Sequence, residues 1–526
     1  MYEETGIATR ARTSQEVLGG YLRRLREERG LTRAQLATRL HLTVQEITQM
    51  EQGESLQPEI TQQTLKVLDN NRAFIGEDVL KVHGGRPLHG AIDVNTSKNG
   101  AMGLLCASLL NRGKTVLHRI PRIEEVHRML EVFTSVGVQC RWLNNGRNTL
   151  ELIPPIDGYR LENINRDSAS KTRSILMTIG AFIHHVDKMS IPHASGCNLG
   201  TRTIRDHIDG LGAFGVKFAD EKDPMHDDEF KLSFRVTCKD LQPNFYVFTE
   251  QGDTSTENVL IAAAGIPGVS TLYGVSSNYM VREVCQFLQR MGVKIEGVGT
   301  STLVVHGKEN IDIEGLEYTN SEDPIEAMTL LTMGIVTKSE LTVRRVPQDF
   351  IRFELNMLEK MKQRFDVGPA YKSFNGLTDL VDVTLYPSDL QATDVEIKPK
   401  TYPGINPDSA PFFVLIATQA QGETTYNDWM FDGRNRHLLK LREFGADIHT
   451  VSDRILRIVG KTQLRSAMVT APPALRPSMI QLLAAMSAEG ITVIRDTYQI
   501  RRGYQDFFVR ANRIGAHIEH NGVLCA

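Results

Sequence analysis

Apolar positions after Lys81 repeat a single figure. An apolar run at helical spacing closes on a glycine, and a short alternating segment follows it. The figure occurs as MLEVFTSVGVQCRWL at Gly137, HIDGLGAFGVKF at Gly215, CQFLQRMGVKIEGV at Gly292, LLKLREFGADIHTV at Gly445 and FVRANRIGAHIEH at Gly515. A degenerate copy, FELNMLEKMKQRFDV, falls between the third and the fourth. Glycine ends helices because it enters the left-handed region freely. The copies are about 70 to 80 residues apart, too long for a solenoid repeat and right for a βαβαββ unit. Six such units make two three-unit domains.

Before Lys81 the pattern is different. Residues 1–13 are polar, and Val17, Leu18, Tyr21, Leu22 and Leu25 then mark a helix from Ser14. Thr32 is placed to cap a short helix carrying Leu36 and Ala37. A turn at His41-Leu42 leads to Thr43, which can cap a second with Ile47 and Met50 inward. Residues 73–80 read as a linker. The chain therefore predicts a small all-α head and a larger α/β body.

Composition changes this picture little. At 526 residues the chain is longer than one core holds, and 41% apolar with 23% charged residues is ordinary for a globular protein. A formal charge of -3 gives no whole-chain reason to bind nucleic acid or membrane. No apolar run spans a bilayer and no signal-peptide layout opens the chain, so the expected location is the cytoplasm. The six cysteines make no CxxC pair; Cys106 and Cys285 lie in apolar helical patterns and read as core, and disulfides are not expected.

One loop draws chemistry to itself: Ser195-Gly196-Cys197-Asn198-Leu199-Gly200-Thr201-Arg202. Its glycines let a thiol and a guanidinium approach one ligand, and a helix predicted over Thr203 to Leu211, with Ile204, Ile208 and Leu211 on one face, would add its N-terminus for an anion. A cysteine between glycines is also an ordinary buried residue, and the loop alone leaves both readings open.

Residues 14–72 resemble the phage-repressor-like (Cro/C1-type) helix-turn-helix family, through Gln35-Leu36-Ala37 and Ile47 to Glu51-Gln52-Gly53. The resemblance implies that the second short helix enters the major groove, with Gln45 and Gln49 outward as candidate adenine readers. Its arginines are offset by acids, and the recognition helix carries Glu46 and Glu51 but no lysine or arginine. Phosphate contacts supply most DNA affinity. Two readings stay open: DNA binding, or a module that mediates docking or homodimerisation.

The body resembles the enolpyruvyl transferase family, in particular its branch acting on UDP-N-acetylglucosamine. Thr96-Ser97-Lys98-Asn99-Gly100-Ala101 is similar to that family's Ser-Gly-Ala-Lys-Asn-Ala signature. Gly196-Cys197-Asn198-Leu199-Gly200-Thr201-Arg202 is similar to its Gly-Cys-Thr-Ile-Gly-Ala-Arg loop. Asp408 before Pro411-Phe412-Phe413, Arg434 in FDGRNRH, Arg502 in IRRGY, Arg173 and Asp323 also match. The implied fold is two inside-out α/β domains joined by two crossings, near residues 97 and 321. That gives a helix-turn-helix domain at 1–72, a linker at 73–80, domain I at 81–97 plus 322–526, and domain II at 98–321.

The implied reaction moves the enolpyruvyl group of phosphoenolpyruvate to a hydroxyl of UDP-N-acetylglucosamine or a related uridine nucleotide and releases phosphate. Asp408 would be the base for the hydroxyl, with helix N-capping as its alternative role. Cys197 would be the acid, its thiol lowered by Arg202 and a helix N-terminus. Lys98, Arg202, Arg434 and Arg502 would hold phosphoenolpyruvate, and the bound dianion would relieve their mutual repulsion. Asn99, Arg173, Arg205, Asp323 and Phe431 complete the expected substrate contacts. No cofactor and no metal are implied; phosphoenolpyruvate is a co-substrate.

The sequence departs from the family at three places. Ala474 stands where the family has an aspartate before Leu-Arg, which removes a carboxylate from proton transfer. Gly252-Asp253-Thr254 replaces its Ser-Val-Gly diphosphate loop, and Thr203-Ile204-Arg205 replaces its Pro-Val-Asp. The altered acceptor side admits an alternative acceptor, UMP, as in nucleoside-antibiotic biosynthesis. A further alternative is a DNA-binding regulator whose transferase body senses a nucleotide.

Overall fold

The computed structural model describes residues 22–23, 26–27, 31–40, 42–52, 64, 78–143, 148–193, 204–222 and 232–525. They fall in two compact units, one ending at Asp78 and one starting at Val79. Among the described residues no helix is long and apolar enough to cross a membrane.

In the first unit the two short helices are Arg33–Leu40 and Val44–Gln52. Each opens on a reciprocal cap. Thr32 Oγ1 accepts the Gln35 N–H at 3.2 Å while Gln35 Oε1 accepts the Thr32 N–H at 2.8 Å. Thr43 and Glu46 repeat the exchange at 3.2 and 2.7 Å. Leu22, Leu36, Ala37, Ile47 and Met50 form the small core. Gln45 is exposed and Gln49 half-buried. The acids of the second helix are both engaged within the unit. Glu46 is spent on the cap, and Glu51, 5% exposed, pairs with Arg26 and with Arg33 at 2.8 Å. Most of the helix expected from Ser14 lies outside the described residues, as does His41.

The second unit has two hydrophobic cores. One gathers residues of Leu80 to Val94 and Ile325 to Ile518, the other residues of Ala101 to Tyr318. Each core carries three of the six sheets on its outside. A unit of the repeat reads as an inner helix, a strand, an outer helix and a hairpin, as in Lys98–Ser108, Thr115–His118, Glu124–Ser135, Gln139–Leu143 and Thr149–Ile153. The inner helices are apolar on every side and sink into the core; all thirteen residues of Pro324–Val336 are buried. Gly137, Gly215, Gly292, Gly445 and Gly515 all take positive φ, from 83° to 107°, where the outer helix turns into its strand. The degenerate copy makes the same turn with Lys362 at φ 64°.

The first strand, Val79–Gly84, begins inside the stretch read as linker. It lies between Gly490–Arg495 and Ile518–His520, antiparallel to both. The chain passes between the cores twice, and the two passages run side by side. Thr96 bridges Glu322, the Ser97 N–H donates to Ser321 O at 2.8 Å, and the Asp323 N–H donates to Asn95 O at 2.9 Å. Cys106 and Cys285 are fully buried, as expected. The helix after the cysteine loop is Arg205–Gly212, with Leu211 buried and Ile204 and Ile208 packed on the same core.

Candidate active site

The start of Lys98–Ser108 is fixed by Ser97, whose Oγ accepts the Gly100 N–H at 2.9 Å. This sets Lys98 at the passage between the cores. Its Nζ lies 3.4 Å from Glu125 Oε2, and Arg502 Nη2 reaches the same oxygen at 3.0 Å from the far end of the sequence. Thr172 Oγ1 donates to the other oxygen at 3.1 Å. Burial works against the Glu125 charge, but Lys98, Arg502 and Thr172 overcome it and hold the carboxyl down at about 2. Glu125 is thus a fixed anion that ties two of the expected cations together.

A second cluster forms around Asp408. This residue lies in the turn before Phe412–Thr418, and the N-cap of that helix is Pro411, so the capping role does not apply. The Asp408 N–H donates to Asn406 Oδ1 at 2.8 Å, and the Asn406 N–H donates to the buried Glu354 at 2.9 Å. Burial pushes the Glu354 carboxyl up to about 7. Arg434 Nη2 stands 3.3 Å from Asp408 Oδ1 and donates to Pro407 O at 2.6 Å. Its guanidinium lies 5.0 Å from the centre of the half-buried Phe431 ring.

Arg476 approaches the other side of Asp408, Nε to Oδ2 at 3.5 Å, and donates through Nη1 to the Tyr504 hydroxyl at 2.7 Å. Burial opposes the Arg476 charge, yet Tyr504, Asp408 and Asp323 more than offset it and its pKa is raised. Both guanidiniums are nearly sealed, at 2% and 3% exposure, and both keep donors in hand. Arg434 Nη1 and Arg476 Nη2 make no hydrogen bond with any described residue. A buried donor left unmade costs about 1–3 kcal/mol.

Asp323 joins the clusters. Its Oδ1 accepts the Ile325 N–H at 2.8 Å, capping Pro324–Val336, and its Oδ2 lies 3.4 Å from the Lys98 amide. Burial raises its carboxyl against the pull of Arg476. Contacts link Arg502, Glu125, Lys98 and Asp323 in one group and Arg476, Asp408 and Arg434 in another, with the charge of Arg476 acting on Asp323 between them. Residues of both cores contribute to them.

A third acid, Asp253, is the first residue of the helix Asp253–Gly265. Ser276 Oγ and Asn278 Nδ2 donate to its two oxygens at 2.6 and 3.1 Å. Burial raises its carboxyl and the nearby Asp408 adds to the rise. On the same helix Asn258 Nδ2 donates to His207 Nδ1 at 3.0 Å, and Thr254 Oγ1 meets His207 Nε2 at 3.3 Å. Burial, with Arg173 adding, lowers His207 to about 3, so it stays neutral. Arg173 therefore sits by His207. Arg205 is exposed at the head of its helix, and Asn99 is half-buried beside Lys98. Cys197 and Arg202 lie outside the described residues.

Glu125 lies between Lys98 and Arg502, and Asp408 between Arg434 and Arg476, so the protein's own carboxylates already meet three of the four expected cations. Glu125 and Arg476 escaped the sequence reading. Glu125 hides among the charges of an amphipathic helix, although it stands four residues before the buried Met129. Arg476 is the second residue of the helix Leu475–Ser487, whose N-cap Ala474 makes no side-chain bond.

Comparison with known proteins gives a consistent assignment. Residues 82–510 match the family described as EPSP synthase (3-phosphoshikimate 1-carboxyvinyltransferase), and residues 17–69 match a helix-turn-helix domain. The UDP-N-acetylglucosamine 1-carboxyvinyltransferase of Bacteroides thetaiotaomicron is 28% identical over 459 residues, covering 83% of this chain and 98% of that one. The enzyme of the same description from Helicobacter acinonychis is 26% identical over 452 residues, covering 84% and 98%. The enolpyruvyl transferase NikO from Streptomyces tendae superposes with a TM-score of 0.72 at 23% identity, covering 85% of this chain and 99% of that one. An EPSP synthase from Acinetobacter baumannii gives 0.63 at 15% identity, covering 84% and 100%.

Proposed function

The chain belongs to the EPSP synthase (3-phosphoshikimate 1-carboxyvinyltransferase) family, and on that premise we propose that it transfers the enolpyruvyl group of phosphoenolpyruvate to a hydroxyl of UDP-N-acetylglucosamine or a related uridine nucleotide. The acceptor oxygen attacks C2 of phosphoenolpyruvate as Asp408 takes its proton and C3 gains one, giving a tetrahedral ketal. The ketal then loses phosphate from C2 and a proton from C3, leaving the enol ether. Cys197 is assigned the proton at C3 on its sequence context alone. Lys98 and Arg502 line the anion side, with Arg202 assigned there by sequence.

The observation that carries this reading is the pair of unspent buried donors, Arg434 Nη1 and Arg476 Nη2, beside a candidate base. An anion with phosphate and carboxylate oxygens satisfies such donors, and arginine forks suit both groups. The test is phosphate release from phosphoenolpyruvate with UDP-N-acetylglucosamine, UDP, UMP and uridine as acceptors. Release with at least one of the nucleotides is expected; none with any would reject the reading.

Asp253 favours UMP as a second acceptor reading. It places a carboxylate at the head of a thirteen-residue helix, where a second phosphate would otherwise be welcome. A single-phosphate acceptor meets less repulsion there, so UMP should outcompete UDP.

DNA binding by the helix-turn-helix domain is proposed as a separate activity. Glu51 is paired within the unit with Arg26 and Arg33, and Glu46 is held in the cap of its own helix. Binding that weakens steeply with salt and drops on Gln45→Ala or Gln49→Ala is expected. No sequence preference at low salt would reject it.

A further inference from the structure

The two ends of the transferase body meet in one sheet. Val79–Gly84 pairs with Ile518–His520 in a register that sets Lys81 against Glu519 and Val82 against Ile518. Alternation then sends Leu80, Val82 and Ile518 into the core, while Lys81, His83, His517 and Glu519 share the outer face. The His83 N–H donates to His517 O at 3.0 Å, so both imidazoles spring from backbone locked across the pair.

Their side chains converge. His83 Nε2 lies 3.3 Å and His517 Nε2 3.2 Å from the same oxygen, Glu519 Oε1. The ring centres are 4.1 Å apart at 58°, and the three ligand atoms lie within 4.8 Å of one another. Side-chain exposures of 26%, 33% and 22% leave the cluster half-buried, with one side open to water.

From this geometry we infer that His83, His517 and Glu519 bind a divalent transition metal of the zinc class, with water in the fourth position. Two neutral imidazoles and one carboxylate are a standard ligand set for zinc. In a tetrahedral site with bonds of about 2.0–2.1 Å, neighbouring ligand atoms sit roughly 3.3 Å apart. Both nitrogen-to-oxygen separations already have that value, and the nitrogens need only a modest ring adjustment. Lys81 opposes Glu519 in the register and is the competing cation. A metal here would fasten the first strand of the body to Ile518–His520, far apart in sequence.

The experiment uses the full chain. Zinc is titrated against a chromophoric chelator, and cobalt(II) serves as a spectroscopic probe. One ion per chain is expected, with visible d–d bands, no sulfur-to-metal charge transfer, and a thermal midpoint that rises with added zinc. His83→Ala and His517→Ala should each weaken binding by at least about tenfold, as loss of even a ligand-orienting partner commonly does. Lys81→Ala leaves all three ligands in place and should tighten binding, which guards against a variant that merely misfolds. The inference is overturned if the doubly substituted His83→Ala/His517→Ala chain binds zinc as tightly as the parent. A cobalt spectrum dominated by sulfur charge transfer would overturn it too. Neither readout depends on turnover, so this result and that for enolpyruvyl transfer stand apart.

Discussion

Glu125 and Asp408 are both carboxylates set between two cations, one cluster near the passages and one in the turn before Phe412. Around Glu125 the account is complete: Lys98, Arg502 and Thr172 share its oxygens, and the carboxyl is held at about 2. Around Asp408 it is open. The carboxylate is 30% exposed, and its two arginines are sealed with donors unused. A carboxylate whose oxygens are both shared holds its cations in place, whereas one flanked by unused donors belongs to a cluster prepared for something that is not protein. The same residue types therefore predict opposite consequences of mutation.

The largest effect is expected at the open cluster. Asp408→Asn should lower enolpyruvyl transfer by about 10²–10⁴-fold, the usual span for a general base. Arg476→Lys keeps the charge but loses the fork and should cost about 10²–10³-fold. Steady-state phosphate release measures both; activity within threefold of the parent would dissolve the contrast.

Glu125→Gln should act mainly on stability. Removing one member of a buried ion cluster costs roughly 3–5 kcal/mol, because the cations are left without their anion. The sign with pH follows from a folded pKa of about 2 against an ordinary 4.5. The stabilisation is present above about 4.5 and is lost as pH falls toward 2. Urea unfolding across that window should show a steep acid limb in the parent and a shallower one in the variant.

Glu354 sharpens the comparison, since it supports the Asp408 turn through Asn406. Its folded pKa is about 7, so the folded state holds an extra proton between about 4.5 and 7. Stability should fall as pH rises through that window. Glu354→Gln should remove this slope and gain about 1–3 kcal/mol above pH 7, read from unfolding midpoints. The smallest effect concerns specificity: Asp253→Asn should move the UDP-to-UMP rate ratio toward UDP by about five- to tenfold, on the order of 1 kcal/mol.

The repeat was legible because each copy turns at one position that demands positive φ, and glycine advertises it. Where lysine takes the turn, at Lys362, the copy looked degenerate although the backbone is the same. The helix caps of the head were legible for a similar reason, since Thr32 and Thr43 act within three residues of themselves. The site was less so. Lys98, Asp323, Asp408, Arg434 and Arg502 could be named from local motifs, but not Glu125 or Arg476 between them. Glu125 and Arg476 owe their roles to burial and to partners such as Arg502 and Asp408 that lie far outside any local window along the chain. The paired imidazoles at opposite ends of the body were invisible on the same ground.

The central place of Val79–Gly84 in its sheet bears on how the protein is made. The ribosome delivers this strand about 400 residues before either of its neighbours. Until they emerge it has two open edges and neither of these partners, an exposure that invites wrong pairing. A chain that stops before Gly490 is left with both edges of Val79–Gly84 unpaired by these strands.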